Sequence, residues 1–387
     1  MKRNKILAAS IITAFFLPLQ AVADTANVNV YGNFDVSYDS INTGTATNGT
    51  HGTTSNRVSS NTSFIGVKGS VDASDGLSAI WQVESLVNVG DAAANGTPTG
   101  ATTNNGIGYL GSRNTFAGLK SDSYGTVLAG RYDTPYRLST RRLDVFDRGI
   151  ADNRSILGGS NVAAKADFDG RQDQVVAYIS PSLGGVTVAA AHVNLNPTVS
   201  TGGPYQGNAE SVAGWYTANG FYGTLAYELH NLQNSTNSSY LGSEHANKLG
   251  FGYTQEGVYT VGFVAEQTGD DLGVGGKDLY GHNAYYVSGK LNIGSAGAIK
   301  AAVTDAGNIG GGKTDNTGAK QYSLGYDYSL NKRTTLYALY TKLNNESAAG
   351  YSFSIYNGTA ASIGGPTTIA GTGASPSALA VGVRVTF

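Results

Sequence analysis

The stretch GNIGGGKT, residues 307–314, fits the phosphate-binding pattern G-x-x-x-x-G-K-[ST] at Gly307, Gly312, Lys313 and Thr314. The chemistry at stake is a cradle of backbone amides around nucleotide phosphates, completed by a helix N-terminus. Such a cradle needs a helix directly after the Lys-Thr pair. The chain continues instead as DNTGAKQYSLGYDYSL, which alternates with period two. The match is therefore read as a coincidence of a glycine-rich loop, with no nucleotide as partner, and LGVGGKD at 272–278 is read the same way. Nucleophilic and metal chemistry fare no better. His51, His192, His230, His245 and His282 share no ligand spacing, cysteine is absent, and there is no G-x-S-x-G. No catalytic group, cofactor or metal is expected. What remains is charge. Segment 134–169 carries Asp144, Asp147, Asp152, Asp167 and Asp169 against Arg137, Arg141, Arg142, Arg148, Arg154 and Lys165, in a chain only 13 % charged. Opposed charges in a narrow passage sort ions; the alternative is a loop simply solvated outside the fold.

The elements that would position that segment are strands. MKRNKILAASIITAFFLPLQAVAD has a basic start (Lys2, Arg3, Lys5), a largely apolar run from Ile6 to Leu19 and the small-residue site Ala21-Val22-Ala23. Residues 1–23 are expected to be a cleaved secretory signal peptide, and 24–387 one barrel domain. Removing the signal leaves 22 basic and 27 acidic residues, a net charge of −5, which is no footprint for nucleic acid. Glycine is abundant at 54 and tyrosine at 24. No later window approaches about 18 consecutive apolar residues, so no transmembrane helix is expected.

Alternation is widespread. In NVNVYGNFDVSYD, Val28, Val30, Phe34, Val36 and Tyr38 share one face, and Asn29, Asn33, Asp35, Ser37 and Asp39 the other, with Tyr31 the one large intruder. KQYSLGYDYSL and LAVGVRVTF repeat the pattern. Sixteen strands are predicted, near 27–40, 58–72, 76–89, 112–122, 124–133, 170–181, 185–195, 209–218, 220–231, 245–255, 257–268, 280–292, 297–305, 318–329, 333–343 and 376–387. Short connectors alternate with long ones rich in Gly, Asn, Thr and Ser. That is the rhythm of a 16-stranded antiparallel transmembrane β-barrel, wide enough for an aqueous channel.

Several blocks resemble a family, the trimeric general porins of Gram-negative bacteria in their neisserial and β/γ-proteobacterial branch. They are VNVYGNFDVSY, SFIGVKGSVDASDGLSAIWQVE, SRNTFAGLKSDSYGTVLAGRYDTP, GRQDQVVAYISPSLGGV and LNKRTTLYALYTKLNN, with Phe387 similar to the terminal aromatic of outer-membrane proteins. The resemblance implies an outer-membrane homotrimer that passes small hydrophilic solutes and ions by passive diffusion, its second long loop (90–111) latching over a neighbour. It implies that the third long loop, 134–169, folds inward to constrict the pore. The candidate constriction residues are then Asp144, Asp147, Asp152, Arg141 and Arg142 on the loop, facing Arg113, Arg131 and Arg171 on the wall. One position departs from the family: Ser63-Phe64-Ile65-Gly66 stands where Ser-Arg-Phe-Gly is usual, so Phe64 lacks an expected positive charge and Arg57 is a nearby substitute. A weak anion preference is expected. The alternatives are a substrate-specific porin for an anion, a sugar or another small solute, and an outer-membrane barrel enzyme.

Overall fold

The computed structural model describes residues 27–87, 89, 110–159, 168–195, 205–234, 240–310, 314–353 and 369–387. The expected signal peptide, most of the second long loop, Lys165, Asp167 and Lys313 lie outside the described residues.

Seventeen strand segments make one closed antiparallel sheet of sixteen barrel strands, because Thr54–Ser60 and Phe64–Ser74 both pair with the first strand and together form β2. The others are β1 (Asn27–Asn42), β3 (Leu77–Leu86), β4 (Thr115–Ser121), β5 (Gly125–Asp133), β6 (Arg171–Ile179), β7 (Val186–Leu195), β8 (Tyr205–Ala218) and β9 (Phe221–Asn234). They continue with β10 (Tyr240–Gln255), β11 (Tyr259–Asp270), β12 (Asn283–Ile293), β13 (Gly297–Ala306), β14 (Ala319–Asn331), β15 (Thr334–Asn345) and β16 (Ser377–Thr386). Each pairs with its sequence neighbour, and β1 pairs with β16 in the register Asn33↔Thr386 to Asn42↔Ser377. Closure leaves no sheet edge, the condition for taking strands into a medium that cannot hydrogen-bond to them. The Phe387 carbonyl accepts from Gly32 N at 3.1 Å, and its ring stacks on Phe34 with centroids 6.0 Å apart.

The interruption of β2 has a local cause. At residues 61–63 the ladder is taken over by side chains: Ser63 Oγ accepts from Asp35 N at 2.9 Å and donates to Asp35 O at 3.0 Å. Asn61 N donates to the same carbonyl at 2.7 Å, and Thr62 adopts φ 55°. Both the N–H and the carbonyl of Asp35 are thereby paired.

The two faces are inverted relative to a soluble sandwich. Val28, Val30, Tyr38, Leu225, Phe251, Val287, Leu324 and Val381 are exposed on the outside, whereas Asp35, Asp39, Glu84, Arg171, Glu228, Lys248, Glu266 and Lys300 are buried inside. A large apolar side chain left in water rather than hydrocarbon costs about 1.5–3 kcal/mol. A continuous outer belt of them excludes water as the outer solvent and fits a bilayer. Tyr31, the intruder in the alternation, points inward and donates to Glu84 at 2.8 Å. After Thr314 the chain enters β14 and no helix, so the phosphate-loop match lacks the helix that it requires.

Candidate functional site

The segment after β5 begins with a capped helical turn. Thr134 Oγ1 accepts from Arg137 N at 3.3 Å, and Pro135 opens α1 (Pro135–Thr140), where its missing N–H costs nothing. The helix lies against the inner face of the barrel. Tyr136 N donates to Ser211 Oγ of β8 at 3.0 Å, and Tyr136 Oη donates to Glu266 of β11 at 2.7 Å. Small inner-face residues make room for it: Ala213, Ala226 and Ala246 form one buried cluster with Tyr136 and Phe168.

Beyond α1 the chain runs along the wall from β9 to β14. A Cβ on Gly252 would sit 2.6 Å from Leu143, and one on Gly250 2.8 Å from it, so these two strand glycines are the seat of the Leu143 side chain. Ser288 Oγ of β12 donates to Leu143 O at 2.8 Å. Asp144 accepts from Tyr286 Oη at 2.6 Å, from Phe146 N at 2.8 Å and from Asn153 N at 3.0 Å. Phe146 lies under Lys300 of β13, the ammonium 5.0 Å from the ring centroid. The returning limb is fastened to the same carboxylate as the outgoing one: Gly158 N donates to Glu266 at 2.7 Å. The described parts of the third long segment thus pack against the inner face of the barrel from β8 to β14.

Its charges are settled mostly among themselves. Arg141 contacts Asp147, reaches Asp152 at 2.8 Å, and lies 3.8 Å from both Asp144 and Asp169. Arg154 adds a second contact to Asp152 at 2.9 Å, and Lys248 of β10 pairs with Asp169 at 3.0 Å. Burial alone would raise the Asp152 carboxyl, but Arg141 and Arg154 outweigh it and hold it well below the usual carboxylate range. Burial would also raise Asp147, and the same balance, with Arg141 and Arg148, lowers it. Asp144 goes the other way: burial and the neighbouring Asp152 push it up to about 6 against the pull of Arg141. The side chains of Asp144 and Asp152 are 0 % exposed, so neither presents its charge to the lumen.

Against known proteins, this chain matches the Gram-negative porin family over residues 8–349. The chain belongs to the Gram-negative porins. It is 25 % identical over 338 residues to the major outer membrane protein P.IB of Neisseria gonorrhoeae, covering 84 % of this chain and 90 % of that one. It is 26 % identical over 345 residues to the major outer membrane protein P.IA of Neisseria meningitidis serogroup B, covering 81 % of this chain and 78 % of that one. Among solved structures it is similar to the anion-selective porin from Comamonas acidovorans, with a TM-score of 0.72 and 22 % identity over 94 % of this chain and 100 % of that one. This porin is therefore an outer-membrane channel for small solutes and no enzyme.

The wall residues of the porin divide. Arg113, in the segment entering β4, pairs with Glu84 at 3.3 Å. Arg171 pairs with Asp133 at 3.0 Å and donates to Asn114 at 2.6 Å, and Arg137 of the loop shares Asp133 at 3.0 Å. Arg113, Arg137 and Arg171 thus come together around Glu84 and Asp133. Arg131 stands apart, paired with Asp173 at 2.6 Å and with Ser112 O at 3.2 Å. Arg142 is exposed, its guanidinium 4.3 Å from the Tyr222 ring centroid and 3.3 Å from Thr217 Oγ1. Arg57 pairs with Asp39 at 3.7 Å and Arg384 with Asp35 at 2.7 Å.

Sequence reasoning missed three groups. Lys248 and Glu266 hold the loop, and only their place in the register with the other inner-face residues marks them. Arg148 was counted as one loop base among several, yet it reaches the Phe64 ring at 5.8 Å. The described start of the eighth long segment also turns inward: Tyr351 and Phe353 share the buried cluster that contains Ile150, Ile156 and Leu157 of the third loop. Asn345 clamps that turn, donating to Tyr351 O at 2.8 Å and to Ala374 O at 2.7 Å. The aromatics of YSF, sitting in an otherwise polar loop, were the available signal.

Proposed function

We propose that this porin is a general diffusion pore with a weak anion preference, constricted by the third long loop. The observation that carries this reading is the asymmetry of compensation. Of the described loop aspartates, Asp152 and Asp169 are consumed by Arg141, Arg154 and Lys248, whereas Arg142 is exposed with no carboxylate partner among the described residues, and the Arg148 side chain, beside Asp147, is 41 % exposed. The surface offered to a passing ion is on balance positive. Asp147, 30 % exposed beside Arg148, keeps the excess small. A similar preference is named for the Comamonas acidovorans neighbour. At an effective ε near 20, charges about 4–8 Å apart interact by about 2–4 kcal/mol, enough for one or two residues to set the sign.

Three further readings belong with it. Residues 1–23 are a signal peptide cleaved after Ala23. The mature barrel assembles as a homotrimer in outer-membrane lipid. Residues 307–314 take no nucleotide. Recording in planar bilayers tests the function directly. Steps that close in groups of three, with a zero-current potential of anionic sign under a KCl gradient, are expected; a cationic sign contradicts the proposed preference, and an absence of steps contradicts the pore.

A further inference from the structure

We propose that Phe64, Arg113 and Arg148 form a binding site for small oxyanions, carboxylate or phosphate, where the tip of the third loop meets the wall of β2. Phe64 projects from the inner face of β2, between Ser63, which caps the interruption of that strand, and Gly66, over which Tyr31 lies. Tyr31 packs edge-on against the Phe64 ring at 6.1 Å and 76° and fixes its plane. The Arg113 guanidinium lies 4.5 Å from the ring centroid and the Arg148 guanidinium 5.8 Å from it. One comes from the wall and the other from the loop, so a single ring gathers two cations from two separate elements.

An aromatic face attracts a guanidinium without neutralising it. Each arginine uses its Nε edge on a carboxylate: Arg113 on Glu84 at 3.3 Å and Arg148 on Asp147 at 3.1 Å. Both carboxylates are shared, Glu84 with the Tyr31 hydroxyl and Asp147 with Arg141. Among the described residues neither arginine donates a terminal N–H to a protein acceptor. Two partly compensated guanidiniums with free planar forks, held near one ring, repel each other. An oxyanion between them relieves that repulsion and matches the forks in geometry. The exposed Arg148 side leaves an entry from the lumen. Phe64 therefore does not simply delete a charge from the wall: it is a positioning residue that draws Arg148 off the loop to stand beside Arg113.

This inference rests on reading the protein as an anion-preferring pore, and the experiment separates the two. The full-length porin is recorded in planar bilayers in about 0.1 M KCl, where screening is weak, with inorganic phosphate added as the probe. In the parent a saturable fall in chloride conductance is expected. Phe64→Leu keeps bulk but loses the ring, and it should abolish the phosphate effect and lower the chloride-over-potassium permeability ratio about threefold. Phe64→Tyr should restore both, which a residue that only fills space would not require. Arg148→Gln, on the loop, should lose the phosphate effect to the same extent and decides the matter alone if Phe64→Leu fails to assemble. Phosphate acting equally on the parent and on Arg148→Gln, or not acting on the parent, overturns the site while leaving the pore standing. No conductance steps in the parent would overturn the pore itself.

Discussion

The buried side and the exposed side of the third loop carry similar charges and treat them differently. On the side seated against β8 to β12, Asp152 and Asp169 meet Arg141, Arg154 or Lys248, and Asp144 is closed off by Tyr286 Oη and two backbone amides. The exposed arginines rest on aromatic faces: Arg142 on Tyr222, with no carboxylate partner among the described residues, and Arg148 on Phe64, with only Asp147, which Arg141 shares, beside it. A carboxylate partner holds a cation and cancels it, whereas a ring holds a cation and leaves its field intact. Formal charge counted along the loop therefore says little about the pore. Compensation decides which residues are structural and which meet the solute.

The comparison is broken most severely by removing Arg141. Arg141→Ala removes the cation shared by Asp144, Asp147, Asp152 and Asp169, leaving Arg154 and Lys248 to hold Asp152 and Asp169, and loss of one partner of such a buried network costs about 3–5 kcal/mol. The expected result is an unseated loop, read as a lower temperature for loss of the heat-resistant form on gels and a larger single-channel step. Gly252→Val acts on the seat rather than on the charges. Its new methyl groups meet Leu143, an overpacking that costs about 1–3 kcal/mol. A smaller rise in step size is expected, while Gly350→Ala, with nothing within 4 Å of its Cβ, should leave the step unchanged.

A gentler test uses pH. The Asp144 carboxyl is pushed up to about 6 by burial and Asp152, above its ordinary 3.8. The folded state then binds a proton more readily than the unfolded one between those values. Stability from this group rises as pH falls from about 6 towards 3.8 and is lost as pH climbs back through 6. Asp152, held low, works in the opposite sense only at more acidic pH. As pH falls from 7.5 to 5 the seated loop should become slightly more heat-resistant, with the ion preference unchanged because the Asp144 carboxyl is closed off from the lumen. Asp144→Asn should show the low-pH behaviour throughout and lose the pH dependence; an unchanged pH profile in that variant would assign the effect to another group.

The barrel was legible because its signal is local. Val28 to Tyr38 and Tyr322 to Leu330 declare period two within a dozen residues, and the long and short connectors give the strand count. Tyr31 already marked itself as an exception to the alternation, and the structure turns it inward to Glu84. The break in β2 was not legible, because it depends on Ser63 replacing a ladder bond to Asp35, a choice of partner and not of propensity. At the site, the types were readable and the pairing was not. Arg141 and Arg142 are neighbours in sequence, yet one is enclosed by four aspartates and the other stands on a tyrosine. Phe64 read as a missing charge because Arg148 is remote in the chain and only the fold brings the two together.

The most direct test of the account compares the parent porin with Arg142→Gln/Arg148→Gln. The measurement is the zero-current potential across a planar bilayer under a tenfold KCl gradient at low salt, repeated near 1 M. The parent should show anionic sign, and the double variant should move to zero or to cationic sign with its step size and heat resistance retained. The difference should shrink at high salt, where the screening length falls to about 3 Å. A double variant that keeps the parent potential at low salt would contradict the claim that these two exposed arginines, one unpaired among the described residues and one only partly compensated, set the selectivity of the pore.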